Sequence, residues 1–390
     1  MDLLGRYYTQ DTFSELLVQN LDFETPNTVL DLGAGAGSLI KAAYNRWNNA
    51  EFIAADIDLS SVKKLNTNLP FIKVFHADGL KLNIEKYIEL GKSSIDVAIC
   101  NPPYLQVSDK KRFEKLLIDA NLPECLNLNK LTSDIIFLAQ NLKFLKPGGE
   151  LGIILPDSIV TGQEFRILRN SLLTNHSVKA LIELPDRIFS KTEAKTHIIL
   201  IKKQSLSKSK IPLLIAGKDG QCYDQIDINS SSLDYRMDFS YHKVNTKLAK
   251  KSVKRLRDFE FELKRGNRTN AELKASKLKF LHSTSFKDGS ELYLVNPNKK
   301  DKSNIVLAEK GSLLITRVGR GCVGKAAIIK KVKLPISDCL YVMKAEQKLV
   351  AAIWNFINSN EGKIWIKAIS HGVCAKVLSR EDILNLPIFI

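Results

Sequence analysis

The chain has 390 residues, more than one hydrophobic core normally serves, so two domains are expected. We see no apolar run of membrane-spanning length and no leader segment, and six cysteines without paired spacing argue against a disulfide framework or a zinc site. Residues 1–203 carry 24 Lys and Arg against 24 Asp and Glu, whereas residues 204–390 carry 34 against 18. We therefore expect a soluble, cytoplasmic, metal-free protein whose second half binds a polyanion, with a lysine-rich solvated surface as the alternative.

The N-terminal stretch Gly5–Thr9 precedes residues 11–18, whose apolar residues have helical spacing. Thr9 or Asp11 could cap that helix, which would leave a hydroxyl and free backbone N–H groups facing an anion such as a carboxylate. An ordinary capped surface helix is the alternative interpretation.

A glycine-rich loop follows the first predicted strand, residues 28–32. Its glycines alternate, at Gly33, Gly35 and Gly37, and a predicted helix follows at residues 39–47. Alternating glycines let the backbone turn sharply and approach a ligand closely. The spacing differs from the dinucleotide-binding fingerprint G-x-G-x-x-G, and the loop has no lysine. It therefore predicts a ligand site that does not bind phosphate groups.

Acidic residues stand at or after the ends of successive predicted strands. Asp56 lies 25 residues after Asp31, where an acid normally accepts hydrogen bonds from ribose hydroxyls. Asp78 follows a third strand, residues 71–75, and could accept from an adenine amino group, or could simply be a turn aspartate. Strands alternating with helical segments predict a doubly wound α/β domain that binds a nucleoside.

The fourth strand, residues 95–100, delivers the rigid turn Asn101-Pro102-Pro103-Tyr104. The Asn101 amide oxygen and the Pro102 carbonyl can together accept both protons of an exocyclic amino group. Tyr104 offers a flat face on which a planar ring can stack. The combination suits methylation of an aromatic amine, although Asn-Pro and Pro-Pro also occur in ordinary loops.

Further buried strands are predicted at residues 151–156, 178–184 and 197–203, after a helix at residues 134–145. Phe189 lies in the loop between the last two strands and could be a core residue or could stack against a substrate ring. A polar Ser/Lys-rich stretch then predicts a domain boundary, with domains at residues 1–210 and 211–390.

The second half combines short strands with basic residues. A basic tract around residues 240–270 has spacing that permits a helix with one basic side, suited to phosphates. A long amphipathic helix is predicted at residues 347–369. The candidate DNA-binding residues are Lys250, Lys251, Lys254, Arg255, Arg257 and Arg317.

Together these motifs resemble gamma-class N6-adenine DNA methyltransferases of restriction–modification systems, over nearly the whole chain. The resemblance implies S-adenosylmethionine as cofactor and Asn101, Pro102 and Tyr104 as the catalytic turn. It also implies that Phe189 and Tyr104 stack on the target base. The cofactor-binding positions it implies are Thr9, Asp31, Gly33, Gly35, Gly37, Asp56 and Asp78. Gln10 departs from the pattern, because many relatives have proline there.

The second half is similar to target-recognition domains of type I specificity subunits, through residues 311–319 and the closing helix. The implied architecture is a Rossmann-like methyltransferase domain followed by a mixed α+β DNA target-recognition domain. The implied partners are double-stranded DNA and, as a candidate, a separate restriction endonuclease. We expect a monomer that acts in the prokaryotic cytoplasm, at the nucleoid when bound to DNA.

Two alternatives stay open from the sequence. The same tetrapeptide occurs in methyltransferases that act on RNA or on protein glutamine, although the basic second half and the Gly5–Thr9 element favour DNA. A non-catalytic DNA-binding subunit that keeps a methyltransferase fold is the other alternative, against which the intact Asn101–Tyr104 turn and glycine loop argue.

Overall fold

In the computed structural model the described residues are 9–186, 188, 195–251, 254–293, 304–331, 333–372 and 375–390. The chain divides into two compact units, residues 1–242 and 243–390. The predicted boundary at residues 210/211 lies inside the first unit. The reason is strand pairing, because residues 210–216 and 222–229 extend the central sheet of that unit.

The first unit alternates strands and helices. Its strands are β1 (Thr28–Leu32), β2 (Glu51–Asp56), β3 (Lys73–His76), β4 (Ile95–Cys100), β5 (Gln106–Val107), β6 (Leu131–Thr132), β7 (Leu145–Pro156), β8 (Ser177–Glu183), β9 (Thr196–Lys202), β10 (Lys210–Ala216) and β11 (Cys222–Asn229). Its helices are α1 (Asp11–Gln19), α2 (Ser38–Arg46), α3 (Leu59–Asn68), α4 (Glu114–Asp119), α5 (Ser133–Phe144), α6 (Asp157–Thr161) and α7 (Arg166–Asn175), and α8 (Phe239–Ala249) contains the division between the units.

Within the described residues, the central sheet has nine strands in the order β11-β10-β8-β9-β7-β4-β1-β2-β3. β1 runs parallel to β2 and β4, and β4 runs parallel to β7, whereas β9 is antiparallel to β7 and β8. All six residues of β4 are buried, as expected for a strand covered on both faces. The predicted doubly wound, Rossmann-like α/β fold is confirmed.

Alternate residues of the central strands fill two apolar cores, one on each face of the sheet. Leu30 and Ala98 belong to one core, whereas Val29 and Val97 belong to the other. The alternation follows from the two-residue side-chain period of a strand. Both cores extend to the ends of the parallel strands, where Leu32 and Cys100 belong to one core and Ala34 belongs to the other.

Helix α5 is buried along its whole length, including its polar residues. Gln140 donates to the carbonyl of Lys81 at 2.8 Å, and Lys143 forms an ion pair with Glu85 at 2.8 Å. Buried polar side chains keep such partners because an unpaired one is costly. Through these bonds the C-terminal half of α5 is fixed against the loops that follow β3.

The second unit is a smaller mixed α+β structure. Its strands are β12 (Glu262–Arg265), β13 (Ser290–Tyr293), β14 (Leu307–Ala308), β15 (Leu313–Thr316), β16 (Val318–Gly319), β17 (Ala326–Lys331), β18 (Leu334–Pro335), β19 (Leu340–Lys344) and β20 (Lys376–Val377), and its further helices are α9 (Asn270–Ala275), α10 (Gln347–Asn358), α11 (Asn360–Ile369) and α12 (Arg380–Leu384). Among the residues described there, the main sheet has the order β12-β19-β15-β17-β13 and covers an apolar core that contains Leu314, Ile329 and Val342.

Two predicted helices of this unit are wrong in extent. The basic tract is not one helix, because α8 ends at Ala249 and residues 262–265 form β12, paired with β19. The predicted closing helix is two helices, because Ser359 accepts a hydrogen bond from the Gly362 N–H at 3.0 Å and so caps α11.

The net positive charge is concentrated in the second unit even more than the sequence halves indicated, since residues 243–390 carry 30 Lys and Arg against 13 Asp and Glu. No helix in the described part of the chain is long and apolar enough to cross a membrane.

A pH test follows from Asp134, near the start of α5. Burial raises the pKa of its carboxyl to about 6. Because that value lies above the pKa of about 3.9 expected in the unfolded chain, stability is highest below about pH 4 and falls as the pH rises through about 6. We expect Asp134→Asn to melt several degrees higher than the wild type at pH 8, and the difference to shrink to about a third of that at pH 4.5.

Calorimetric melting curves at the two pH values test this. Asp227→Asn, on an exposed position of β11, is the matched control and should shift the melting temperature equally at both. A shift of Asp134→Asn that does not depend on pH would contradict the assignment.

Candidate functional site

The carboxyl ends of four neighbouring parallel strands meet at one edge of the central sheet. β1, β2, β3 and β4 bring the loops that follow them to this edge. Such an edge is where open α/β sheets bind ligands. Five sequence-predicted residues line the cavity there: Gly33, Gly35, Asp56, Asp78 and Asn101.

The main cavity has mostly apolar walls and two carboxylates. Its lining residues are Leu32, Gly33, Gly35, Ala55, Asp56, Ile57, Ala77, Asp78, Gly79, Leu80, Asn101, Pro103, Leu105 and Phe137. Flat apolar walls suit a purine ring, and carboxylates suit the hydroxyls and amino group of a nucleoside. The chemistry of the cavity therefore fits an adenosine group.

The Asp56 side chain organises the glycine loop. It accepts hydrogen bonds from the Gly35 N–H at 2.7 Å and from the Asp58 N–H at 2.8 Å. Gly33 and Gly35 have φ values of 80° and 56°, which favour glycine. Because each carboxylate oxygen can accept two hydrogen bonds, Asp56 keeps capacity for a ligand hydroxyl while it fixes the loop.

Phe137 is a cavity residue that the sequence analysis missed. It comes from α5, and its ring lies under both Gly33 and Gly79. A Cβ atom on Gly79 would lie 2.4 Å from this ring, and one on Gly33 would lie 3.2 Å from it. In the sequence Phe137 looks like one more apolar position of a core helix, so no local signal distinguishes it.

A second, smaller cavity adjoins the first and shares Gly33, Gly35 and Asn101 with it. Its other walls are Thr9, the backbone of Ala34–Ala36, and Ser38 and Leu39. The last two belong to the first turn of α2, where backbone N–H groups and the helix dipole favour an anion. This cavity therefore fits a carboxylate, and residues 5–8 of the predicted N-terminal element lie outside the described residues.

Asn101 stands where the two cavities meet. Its side-chain nitrogen donates to the Thr9 hydroxyl at 3.0 Å, and its oxygen accepts from the Tyr104 hydroxyl at 3.2 Å. The Tyr104 hydroxyl also lies 3.3 Å from the Ile154 carbonyl on β7. These bonds fix which end of the amide is oxygen and which is nitrogen.

The two proline carbonyls of the Asn101–Tyr104 turn differ in their hydrogen bonding. The Pro103 carbonyl accepts from the hydroxyl of Ser133, which in turn accepts from the Leu105 N–H at 2.8 Å. Within the described part of the chain nothing donates to the Pro102 carbonyl. Ser133, which the sequence analysis also missed, thus anchors the turn to α5 while the Pro102 carbonyl is kept as an acceptor.

Two predicted cofactor residues lie behind the cavity walls. Asp31 is fully buried, and neither of its carboxylate oxygens has a hydrogen-bond partner among the described residues. Burial and, secondly, the Asp56 carboxylate raise the pKa of Asp31 well above its usual range. Gly37, with a φ of 87°, precedes α2, and a Cβ there would lie 2.6 Å from Leu65. Direct contact of either residue with a ligand stays a prediction.

Phe189 lies outside the described residues, but both flanks of its loop are described. Lys195 pairs with Glu183 at 2.6 Å, and the Asp157 N–H donates to the Lys195 carbonyl at 2.9 Å. His197 contacts the Asp157 carboxylate at 2.9 Å. Burial would raise the pKa of Asp157, but the His197 bond and nearby positive charges outweigh it and hold that pKa well below its usual range.

The six candidate DNA-binding residues lie in the basic unit, and several have partners there. Lys251 pairs with Glu361, and Arg257 pairs with Glu381. Arg255 donates to the Asn245 side chain at 3.0 Å, and Arg317 donates to the Asp338 carbonyl at 3.1 Å. Lys254 lies 5.6 Å from the centre of the Phe259 ring. Lys250 is exposed and has no hydrogen bond or ion pair within the described residues.

The sequence of residues 2–259 matches the N-6 DNA Methylase family. The chain belongs to this family. The matched range includes the glycine loop, the strand-end acids and the Asn101–Tyr104 turn.

Curated relatives of this N-6 DNA methylase chain include the type II methyltransferase M.BsuBI of Bacillus subtilis, 28% identical over 51% of this chain and 43% of the relative. Another is the MpnII type I methylase subunit of Mycoplasma pneumoniae, 24% identical over 70% of this chain and 54% of the relative. The chain thus spans about half of their length. Among solved structures, the type IIG restriction endonuclease BpuSI is similar to this chain, with a TM-score of 0.51 and 15% sequence identity. The similarity covers 97% of this chain and 57% of the BpuSI chain, and at this identity it supports only the fold.

A cavity test follows from Gly79 and Phe137. In Gly79→Ala the added methyl group would displace the Phe137 ring, which also lies under Gly33. Overpacking of this kind costs about 1–3 kcal/mol, so we expect S-adenosylmethionine to bind about tenfold more weakly. Titration calorimetry measures the affinity.

Gly91→Ala is the matched control, since nothing lies within 4 Å of a Cβ placed there. It should bind the cofactor as the wild type does. Equal affinities for the wild type and Gly79→Ala would show that the cavity does not hold the cofactor.

Proposed function

We propose that this N-6 DNA methylase is a site-specific DNA adenine-N6 methyltransferase that uses S-adenosylmethionine and serves a restriction–modification system. The observation that carries the proposal is the place of Asn101. It lines both the main cavity, whose walls suit an adenosine group, and the smaller cavity, whose walls suit a carboxylate. Hydrogen bonds with Thr9 and Tyr104 orient its amide.

The residues that line the two cavities suit the parts of the cofactor. Asp56 would accept hydrogen bonds from the ribose hydroxyls, and Asp78 would face the adenine amino group. The Phe137 ring would support the cavity wall beneath Gly33 and Gly79. Thr9 and the first turn of α2 would hold the carboxylate. When bound, S-adenosylmethionine supplies an electrophilic methyl group on a sulfonium.

The target adenine must leave the duplex, because its N6 atom cannot reach the methyl group from within the base stack. Tyr104 and Phe189 would stack on the flipped base. The Asn101 side-chain oxygen and the Pro102 carbonyl would accept the two amino protons and turn the nitrogen lone pair toward the methyl carbon. These residues work by positioning and by oriented dipoles, without a strong base.

The second unit is proposed to recognise DNA. Its net charge of +17 against −1 for residues 1–242 supports phosphate binding, and its mixed α+β sheet supports the likeness to target-recognition domains. We propose that the chain acts as a monomer on double-stranded DNA in the cytoplasm. A separate restriction endonuclease is the candidate partner, in keeping with the restriction-enzyme subunit among its relatives.

The decisive experiment is single-molecule sequencing of DNA from a methylation-free host that expresses the chain. We expect N6-methyladenine at one reproducible motif with the wild type, and a loss of at least about 100-fold with Asn101→Ala, because that variant lacks an acceptor aligned with the reacting nitrogen.

Unmodified DNA with soluble wild-type protein would overturn the DNA assignment. Purified protein incubated with labelled S-adenosylmethionine and RNA or protein would then identify the substrate class. Equal modification by the wild type and Asn101→Ala would instead refute the catalytic role of the turn.

A salt test addresses the second unit. If Lys250 contacts a phosphate, Lys250→Ala should make the slope of log affinity against log salt shallower by about 0.9. Equilibrium binding to the target duplex at several salt concentrations measures the slope. Lys208→Ala, exposed in the first unit, is the matched control and should keep the wild-type slope. A wild-type slope near zero would contradict phosphate binding as a whole.

A further inference from the structure

A cluster of basic side chains lies in the first unit, shortly after the Asn101–Tyr104 turn. Among residues 110–115 four are basic and only Glu114 is acidic, whereas residues 1–242 as a whole carry a net charge of −1. Lys111, Arg112 and Lys115 are exposed. Positive charge is therefore concentrated at one place on a unit that is otherwise close to neutral.

This basic segment, residues 110–115, is fixed beside the main cavity. The strand that leads into it, β5, pairs with β6. The Phe113 side chain is 1% exposed and belongs to the same apolar core as Phe137. The Arg112 guanidinium donates to the carbonyl of Leu80, which lines the main cavity, at 3.3 Å. The exposed cations therefore lie next to the wall of the cavity that contains Asn101.

Two acids near the segment are engaged elsewhere. The Asp109 carboxylate accepts a hydrogen bond from the Lys111 N–H at 3.2 Å, and Asp119 forms an ion pair with Lys92 at 2.6 Å. Within the described residues the ammonium groups of Lys111 and Lys115 have no hydrogen bond or ion pair. These two charges are thus available to an external anion.

The two lysines also share one side of the segment. Lys111 lies on a short helical turn, Lys111–Phe113, and Lys115 lies on α4. Residues four apart on a helical backbone face the same side. The buried side chains of Phe113, Leu116 and Leu117 form the opposite side. Both ammonium groups therefore project into solvent from one surface, which suits contact with a run of phosphates.

The proposed reaction brings phosphates to this part of the first unit. A flipped adenine that reaches Asn101 stays bonded to its sugar and to the phosphates on either side, so the DNA backbone around the target must approach the strand ends. A unit with a net negative charge attracts this backbone only where cations are concentrated locally. The basic segment supplies such cations beside the cavity.

We propose that Lys111 and Lys115 form a phosphate-binding surface for the DNA backbone near the target adenine, in addition to the phosphate contacts proposed for the second unit. This inference rests on the proposed function and extends it, because the catalytic unit then contributes to DNA affinity itself. Arg112 is bound to the cavity wall, so a change there would also disturb the cavity.

The test compares the wild type with the double variant Lys111→Gln/Lys115→Gln on a duplex that carries the target site found by sequencing. Each phosphate contact contributes about 0.9 to the slope of log affinity against log salt. We therefore expect the slope to become shallower by about 1.8, and the affinity at about 0.1 M salt to fall about tenfold. Lys111→Arg/Lys115→Arg keeps both charges and should keep the wild-type slope.

Two further measurements separate phosphate binding from damage to the catalytic site. Affinity for S-adenosylhomocysteine should stay within about twofold of the wild type, because no cavity residue is changed. The single-turnover methylation rate at saturating DNA should also stay within about twofold, since the two lysines act on binding and not on the reacting atoms.

Lys208→Gln/Lys210→Gln is the matched control, because it removes two exposed lysines from the same unit at the start of β10. β10 is parallel to β8, and β7 and β8 are both antiparallel to β9, so this start lies at the sheet edge opposite the cavity. The control should keep the wild-type slope and affinity.

A wild-type slope and affinity in Lys111→Gln/Lys115→Gln, or an equal loss in the control, would overturn the inference alone as long as the wild type methylates DNA. A loss of cofactor affinity in parallel with DNA affinity would also overturn it. If the wild type neither binds nor methylates DNA, the proposed function fails and the inference fails with it.

Discussion

The parallel pairing of β1 with both β2 and β4 is the constraint on which the rest of the site depends. Parallel strands end at the same edge, so residues 33, 56 and 101, far apart in the chain, reach one cavity. The central strand β4 is buried along its whole length, as expected for a strand that is covered on both faces. The Asn101–Tyr104 turn therefore begins directly at the end of a buried strand.

Helix α5 provides the second support. It is buried on all sides, and from one surface it supplies the Phe137 ring under the glycines and the Ser133 hydroxyl that anchors the Pro103 carbonyl. The same helix thereby shapes both the cavity at the strand ends and the Asn101–Tyr104 turn. The Ser133 hydroxyl satisfies the Pro103 carbonyl, whereas none of the described residues donates to the Pro102 carbonyl.

The excess positive charge and the strand-end cavities lie in different parts of the chain. Residues 1–242 have a net charge of −1, in keeping with a cavity that selects its ligand by shape, acids and backbone N–H groups. Residues 243–390 carry +17, which suits attraction to a polyanion over a broad surface. Yet several basic side chains there already pair with acids, as Lys251 does with Glu361. Net charge alone therefore does not identify which side chains contact phosphate.

The sequence by itself determined the strand-end motifs and the doubly wound fold, because glycine spacing, prolines and apolar runs act locally on the backbone. It also predicted Asp56, Asp78 and Asn101, which do line one cavity. Only the tertiary structure decided the parts that depend on distant contacts. Residues 210–229 belong to the first unit through strand pairing, Phe137 and Ser133 act through packing across the sheet edge, and Arg112 reaches the Leu80 carbonyl across 32 positions of sequence. No local pattern encodes these contacts, since each depends on where the fold brings the partner.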